Sequence, residues 1–133
     1  MSDDSPPKRE QRFTLSGRAR SFAYALRGIG VMLRTQHNAR LHAVATILVV
    51  IGGALLGLDA QQWCWVTIAV VAVWVAEALN TAFELLCDVA SPEFHPLVRQ
   101  AKDVAAAAVL ITSVGAVIVG LLVVGPVILE RLN

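Results

Sequence analysis

Five polar residues interrupt an otherwise apolar stretch of the chain: Glu77, Asn80, Thr81, Glu84 and Asp88. On a helix turning about 100° per residue, with Glu77 at zero, Asn80 falls near −60°, Glu84 near −20°, Asp88 near +20° and Thr81 near +40°. All five share a sector of roughly 100°. Glu77 and Glu84, seven residues apart, stand about 10 Å apart along the axis. That is too far for one acid/base dyad, but it suits separate tasks. One carboxylate could hold Mg²⁺ with a nucleotide while the other takes a proton from an acceptor hydroxyl.

The cost of placing these groups in an apolar helix sharpens the reading. A carboxylate at the centre of a bilayer costs on the order of 2.5–3.5 kcal/mol on the mildest scale. Glu77 and Glu84 facing lipid would together cost roughly 5–7 kcal/mol, comparable to the stability of a whole domain. The stripe must therefore face partner helices, a bound cation or a wet cleft. A purely structural role as interhelical glue is the bland alternative, although such glue is usually Asn, Ser or Thr. A cation channel or transporter lined by the same carboxylates is another, and a non-enzymatic membrane assembly subunit a third.

The elements that position the stripe are legible in the composition. Of 133 residues, 56% are hydrophobic and only 6% aromatic, the balance of helices packed in lipid rather than of a β-rich core. The length implies one domain over 16–129. Residues 1–15, rich in Ser, Asp, Pro and charge, read as a disordered tail, with Ser16 or Ser21 suited to cap the next helix. Over 16–38, Phe22, Ala25, Leu26, Ile29, Met32 and Leu33 recur at three- and four-residue spacing, interleaved with Arg18, Arg20, Arg27 and Arg34. That pattern is an amphipathic surface helix. Membrane spans follow at 39–58, 63–90 and 103–129, each near or above the roughly 20 residues that cross a bilayer. Gly125-Pro126 should fray the end of the last. The fold class is thus all-α, an integral membrane protein of three spans preceded by an amphipathic helix.

Charge gives the orientation. Eight of the 11 Lys and Arg residues precede the long apolar run that begins at Ala43; Arg99 and Lys102 lie in the 91–102 loop, and the 57–62 turn has none. The N-terminus and the 91–102 loop should therefore be cytoplasmic. A basic end leading into spans points to a membrane surface, not to nucleic acid. No apolar signal-peptide core is visible at the N-terminus. Cys64 and Cys87 lie roughly 35 Å apart on one helix and cannot pair within the chain.

Other candidates carry less. There is no Gly-x-x-x-x-Gly-Lys phosphate loop. His37 and His42, five apart, do not share a helical face, so a zinc pair is not expected. His95, between Phe94 and Pro96, reads as a loop-shaping residue. Asp103 could simply cap the third span. Gly28 and Gly30 read as close-packing positions, and Gly53-x-x-x-Gly57 could bring helices together.

Ala76-Glu-Ala-Leu-Asn-Thr-Ala-Phe-Glu-Leu-Leu-Cys-Asp88, Pro92-Glu-Phe-His-Pro96 and Ala101-Lys-Asp-Val-Ala-Ala-Ala-Ala-Val109 resemble the small prokaryotic diacylglycerol kinase family. The Arg34-Thr-Gln-His-Asn-Ala-Arg-Leu-His42 stretch looks closer to its undecaprenol kinase branch. The resemblance runs from about Phe22 to Val124. It implies a homotrimer in the bacterial cytoplasmic membrane that transfers the γ-phosphate of Mg-ATP to a membrane lipid alcohol. By matching motif, Glu77 would be the general base, supported by Asn80, and Glu84 a metal ligand. Lys102, Asp103 and Arg34 would position nucleotide and acceptor, with Asp88 a weaker member. One position departs: Gln36 stands where the family usually has a metal-binding glutamate. An amide oxygen can coordinate Mg²⁺ but brings no charge, so the second metal position or its affinity is affected. Sites should form between protomers, because three spans alone would not bury the stripe well.

Overall fold

The computed structural model describes residues 15–91 and 93–132, and its elements are four helices: α1 Leu15–Thr35, α2 His37–Leu56, α3 Ala60–Ala90 and α4 Pro96–Leu132. The tail expected over 1–15 lies outside the described residues except for Leu15, which already belongs to α1. The fold is all-α, and α2, α3 and α4 are each long and apolar enough to cross a membrane. Apolar side chains cover their outer surfaces: Leu48, Ile111 and Leu121 are all well exposed. Helices satisfy their own backbone groups, which lets such surfaces face hydrocarbon.

The helix α1 and the span after it are separated by a single residue. Gln36 takes an extended conformation (φ −102°, ψ 123°), and its N–H closes α1 on the Met32 carbonyl at 2.9 Å. The amphipathic helix therefore ends at Thr35, not at 38. Both serines considered as caps for α1 lie within the helix. The helix starts at Leu15, ahead of Ser16, and the Ser21 hydroxyl donates back to Gly17 O at 3.1 Å within the helix. On its apolar side Met32 is buried, while Phe22, Leu26 and Ile29 stay exposed. Such a face needs lipid or another chain to cover it.

The turn after α2 is shorter than the expected 57–62 loop. Gly57 ends α2 in the left-handed region at φ 66°, and α3 starts at Ala60, three residues before Trp63. A capping box drives that early start. Asp59 Oδ1 accepts the Gln62 N–H at 2.8 Å, and the Gln62 side chain accepts the Asp59 N–H at 2.9 Å. These bonds satisfy donors that a helix start leaves open. Gly57 thus makes the turn, while Gly53 makes the close approach. A Cβ on Gly53 would lie 2.8 Å from the Trp63 ring and 3.0 Å from Leu58. Gly53→Ala is expected to lower stability by about 1–3 kcal/mol through overpacking. A lower thermal midpoint in detergent would register it; an unchanged midpoint would mean the ring yields freely.

The connection between α3 and α4 is also tighter than expected. Pro96 occupies the first position of α4, where its missing N–H costs nothing, and His95 Nδ1 accepts the Leu97 N–H at 3.2 Å. The helix that carries the last span therefore starts at Pro96, seven residues ahead of Asp103, and the connection between helices is 91–95. Arg99 and Lys102 stand on the first turns of α4, and Asp103, well inside it, is no helix cap. At the other end, Pro126 sits inside the helix, which continues to Leu132 instead of fraying at Gly125. Spans tolerate an internal proline because neighbouring groups and local adjustment re-satisfy the freed carbonyl.

The spans run antiparallel in chain order, with α3 and α4 the most extensively packed pair. Gln36 meets Glu84, and Thr46 meets Trp74. At the far end Arg131 Nη2 donates to Leu56 O at 2.7 Å. The 31 residues of α3 make about 46 Å of helix, against roughly 30 Å of hydrocarbon. Its last turns, bearing Glu84 and Asp88, can therefore clear the lipid core on the side where α2 begins.

Candidate active site

The inner part of the polar stripe is buried within a single chain. Glu77 is 0% exposed, Asn80 4% and Thr81 5%, so a single chain already buries this part of the stripe. Antiparallel packing explains it: α2 and α4 residues stand beside Asn80, His42 of α2 stands beside Glu77, and α1 lies against Thr81. Farther along the helix, Glu84 is half-buried and Asp88 exposed. The Thr81 hydroxyl donates to Glu77 O at 2.9 Å and so is spent on its own helix.

Glu84 gathers the amides. Gln36 Nε2 donates to one of its carboxylate oxygens at 2.8 Å, and Asn80 Nδ2 donates to the other at 3.2 Å. Gln36 can cross to α3 because it is the extended residue between α1 and α2, and its side chain makes no cap bond. Asn80 Oδ1 is left buried with no partner among the described residues. One carboxylate flanked by two amides is a set of hard oxygen donors. It fits a small divalent cation whose remaining ligands are phosphate oxygens and water, although no group of three or more His, Cys, Asp or Glu converges on such a site among the described residues.

Glu77 is more isolated. Neither carboxylate oxygen has a hydrogen-bond partner among the described residues. The Ala39 backbone N–H, in the first turn of α2, lies near the carboxylate but not in hydrogen-bond geometry. That placement is favourable in kind, because the start of a helix carries partial positive charge. His42 Nε2, also buried and unpartnered, lies 4.0 Å from Glu77 Oε2. Spacing along α2 gives His42 no partner, because His37 does not share its helical face. Its neighbour is across the helix pair, which periodicity on one helix cannot reveal.

The remaining candidates sit outside this pair of clusters. Lys102 reaches across from α4 and pairs with Asp88. Asp103 lies 4.0 Å from Arg99 on its own helix, both largely exposed. Arg34 is exposed in the last turn of α1. Ser113 was not singled out by any motif, yet its hydroxyl is buried and unpartnered on α4. It lines the same cavity of about 220 Å³ as Asn38, His42 and Asn80.

A family model described as prokaryotic diacylglycerol kinase matches residues 23–124. The chain belongs to that family. Named relatives agree with this family membership. The chain is 36% identical over 118 residues to a Bacillus subtilis protein named undecaprenol kinase, covering 89% of this chain and 96% of that one. A Synechocystis protein named diacylglycerol kinase is 38% identical over 101 residues, covering 75% of this chain and 58% of its own length. An Escherichia coli diacylglycerol kinase is 34% identical over 95 residues, with coverage of 71% and 78%. This member of the diacylglycerol kinase family is thus a membrane protein, and its named relatives are kinases.

Proposed function

We propose that the chain transfers the γ-phosphate of ATP to the hydroxyl of a membrane lipid alcohol, undecaprenol or diacylglycerol. The observation that carries the reading is Glu77, wholly enclosed and without a hydrogen-bond partner among the described residues, one to two helical turns from the Asn80–Glu84–Gln36 cluster. An unsatisfied buried carboxylate is costly. A base that accepts the proton of an incoming hydroxyl gives that cost a purpose. Family membership supplies the reaction class, since phosphoryl transfer is chiefly positioning and charge neutralisation.

In this reading Glu77 takes the acceptor proton and Asn80 supports the site. Glu84 and the Gln36 amide would hold Mg²⁺, which when bound neutralises charge on the phosphates. Lys102, Asp103 and Arg34 orient nucleotide and acceptor near the start of α4, and the Lys102–Asp88 pair would exchange partners as phosphate arrives. The protein sits in the bacterial cytoplasmic membrane as a homotrimer, with the N-terminus and the 91–95 connection cytoplasmic. Undecaprenol is the favoured acceptor, from the Arg34–His42 stretch and the near-complete coverage of the Bacillus relative.

Purified protein in mixed micelles, given Mg²⁺, radiolabelled ATP and each lipid alcohol in turn, tests this directly. Label is expected in the lipid fraction, with undecaprenol the better acceptor. Label in neither lipid would overturn the reading.

A further inference from the structure

We propose that His42 is the proton outlet of Glu77, a positioning residue that returns the base to its working form after each transfer. The proposal rests on Glu77 being the base, and it addresses a problem that burial creates. In the transfer, the acceptor O–H bond breaks and an O–P bond forms. The bond from the γ-phosphorus to its bridging oxygen breaks and ADP departs, leaving one proton on Glu77. That carboxyl is 0% exposed, so the proton needs a neighbouring acceptor before the next hydroxyl can react.

His42 is the group placed to take it. Its Nε2 lies 4.0 Å from Glu77 Oε2. Nitrogen and carboxylate alike lack any other partner among the described residues. The gap is longer than a hydrogen bond, and such contacts often tighten only when substrate is bound. While the Glu77 side chain is fully enclosed, that of His42 is 19% exposed. The imidazole therefore stands between the buried base and the cavity that it lines with Asn38, Asn80 and Ser113. Imidazole is also the side chain that exchanges protons near neutral pH.

Among the described residues, the surroundings offer no competitor. The other titratable group acting on Glu77 is Glu84, whose two oxygens are engaged by Gln36 and Asn80. Around His42, α2 presents Asn38 and Thr46, α3 presents Asn80 and α4 presents Ser113, among apolar residues. None of these titrates. Thr46 also fixes the register. Its hydroxyl donates to His42 O at 2.7 Å and accepts the Trp74 indole N–H at 3.0 Å. One turn along each antiparallel helix from that tie, His42 faces Glu77. The proton passes from the Glu77 carboxyl to neutral His42, restoring the carboxylate, and the imidazolium releases a proton to water. The cavity of about 220 Å³ beside His42 has room for that water.

The full chain in micelles is assayed for lipid phosphorylation as wild type, His42→Gln and His42→Ala, across pH and with added imidazole. His42→Gln is expected to lose roughly ten- to hundredfold in kcat, with KM for ATP and lipid held within about twofold. His42→Ala is expected to regain several-fold activity with imidazole, following the pH dependence of the added base. Unchanged kcat in both variants overturns the proposal. A loss that comes with raised KM and does not respond to imidazole also overturns it, because His42 would then be merely structural. If His42→Gln does not fold, the imidazole response of His42→Ala decides alone. Wild-type protein that labels neither lipid overturns the kinase reading and this proposal with it. Active wild type with an unaffected His42→Gln removes only the proton outlet.

Discussion

Glu77→Gln is expected to lower lipid phosphorylation by about 10²–10⁴-fold, while the protein remains folded and still binds nucleotide. The substitution keeps size and shape and removes only the capacity to accept a proton. Its second consequence runs the other way. Glu77 is fully buried with no hydrogen-bond partner among the described residues, and a neutral amide is cheaper to enclose than a carboxylate. The thermal midpoint of Glu77→Gln in detergent should therefore equal or exceed that of wild type. Loss of activity together with retained or increased stability separates a base from interhelical glue, since removing glue would lower both. Activity within a few-fold of wild type would remove Glu77 from the base role.

The shared edge of Glu77, Asn80, Glu84 and Asp88 could be read from helical spacing, and so could the three spans, because both are properties of one helix at a time. What lay opposite that edge could not be read in the same way. Glu77 and Asn80 are enclosed by their own chain because α2 and α4 flank α3, and His42 meets Glu77 only through the α2–α3 register set by Thr46 and Trp74. Periodicity within α2 gave His42 no visible partner. The boundaries failed for related reasons. The break at Gln36 is a single extended residue without proline or glycine, so nothing local announced it. Asp59 and Gln62 do carry a capping signal, three apart, and it outweighs the apolar start at Trp63. Proline misled in both directions: Pro96 starts α4, and Pro126 does not end it. A proline's effect depends on which carbonyl it orphans and on what surrounds that carbonyl.

Gln36→Glu is expected to couple the stability of the protein to Mg²⁺ far more steeply than in wild type. In the present chain the Gln36 amide donates to Glu84 at 2.8 Å, a hydrogen bond to a charged acceptor. Glutamate at this position removes the donor and sets a second carboxylate against the first. Without divalent cation the variant should lose about 1.5–3 kcal/mol, the range for such bonds. Added repulsion would enlarge the loss. With Mg²⁺ the sign reverses, because a cation between two carboxylates is held more tightly than one between a carboxylate and an amide. Binding to the folded state alone stabilises it by mass action, so the variant's thermal midpoint should start below wild type in EDTA and climb faster as Mg²⁺ is added. Thermal unfolding in detergent across a Mg²⁺ series, with and without nucleotide, measures both effects. A variant as stable as wild type in EDTA, or indifferent to Mg²⁺, would show that Gln36 and Glu84 do not face a common cation. The expected crossing of the two curves would mean that this chain, through its neutral amide, folds around Glu84 without needing the metal that a glutamate here would require.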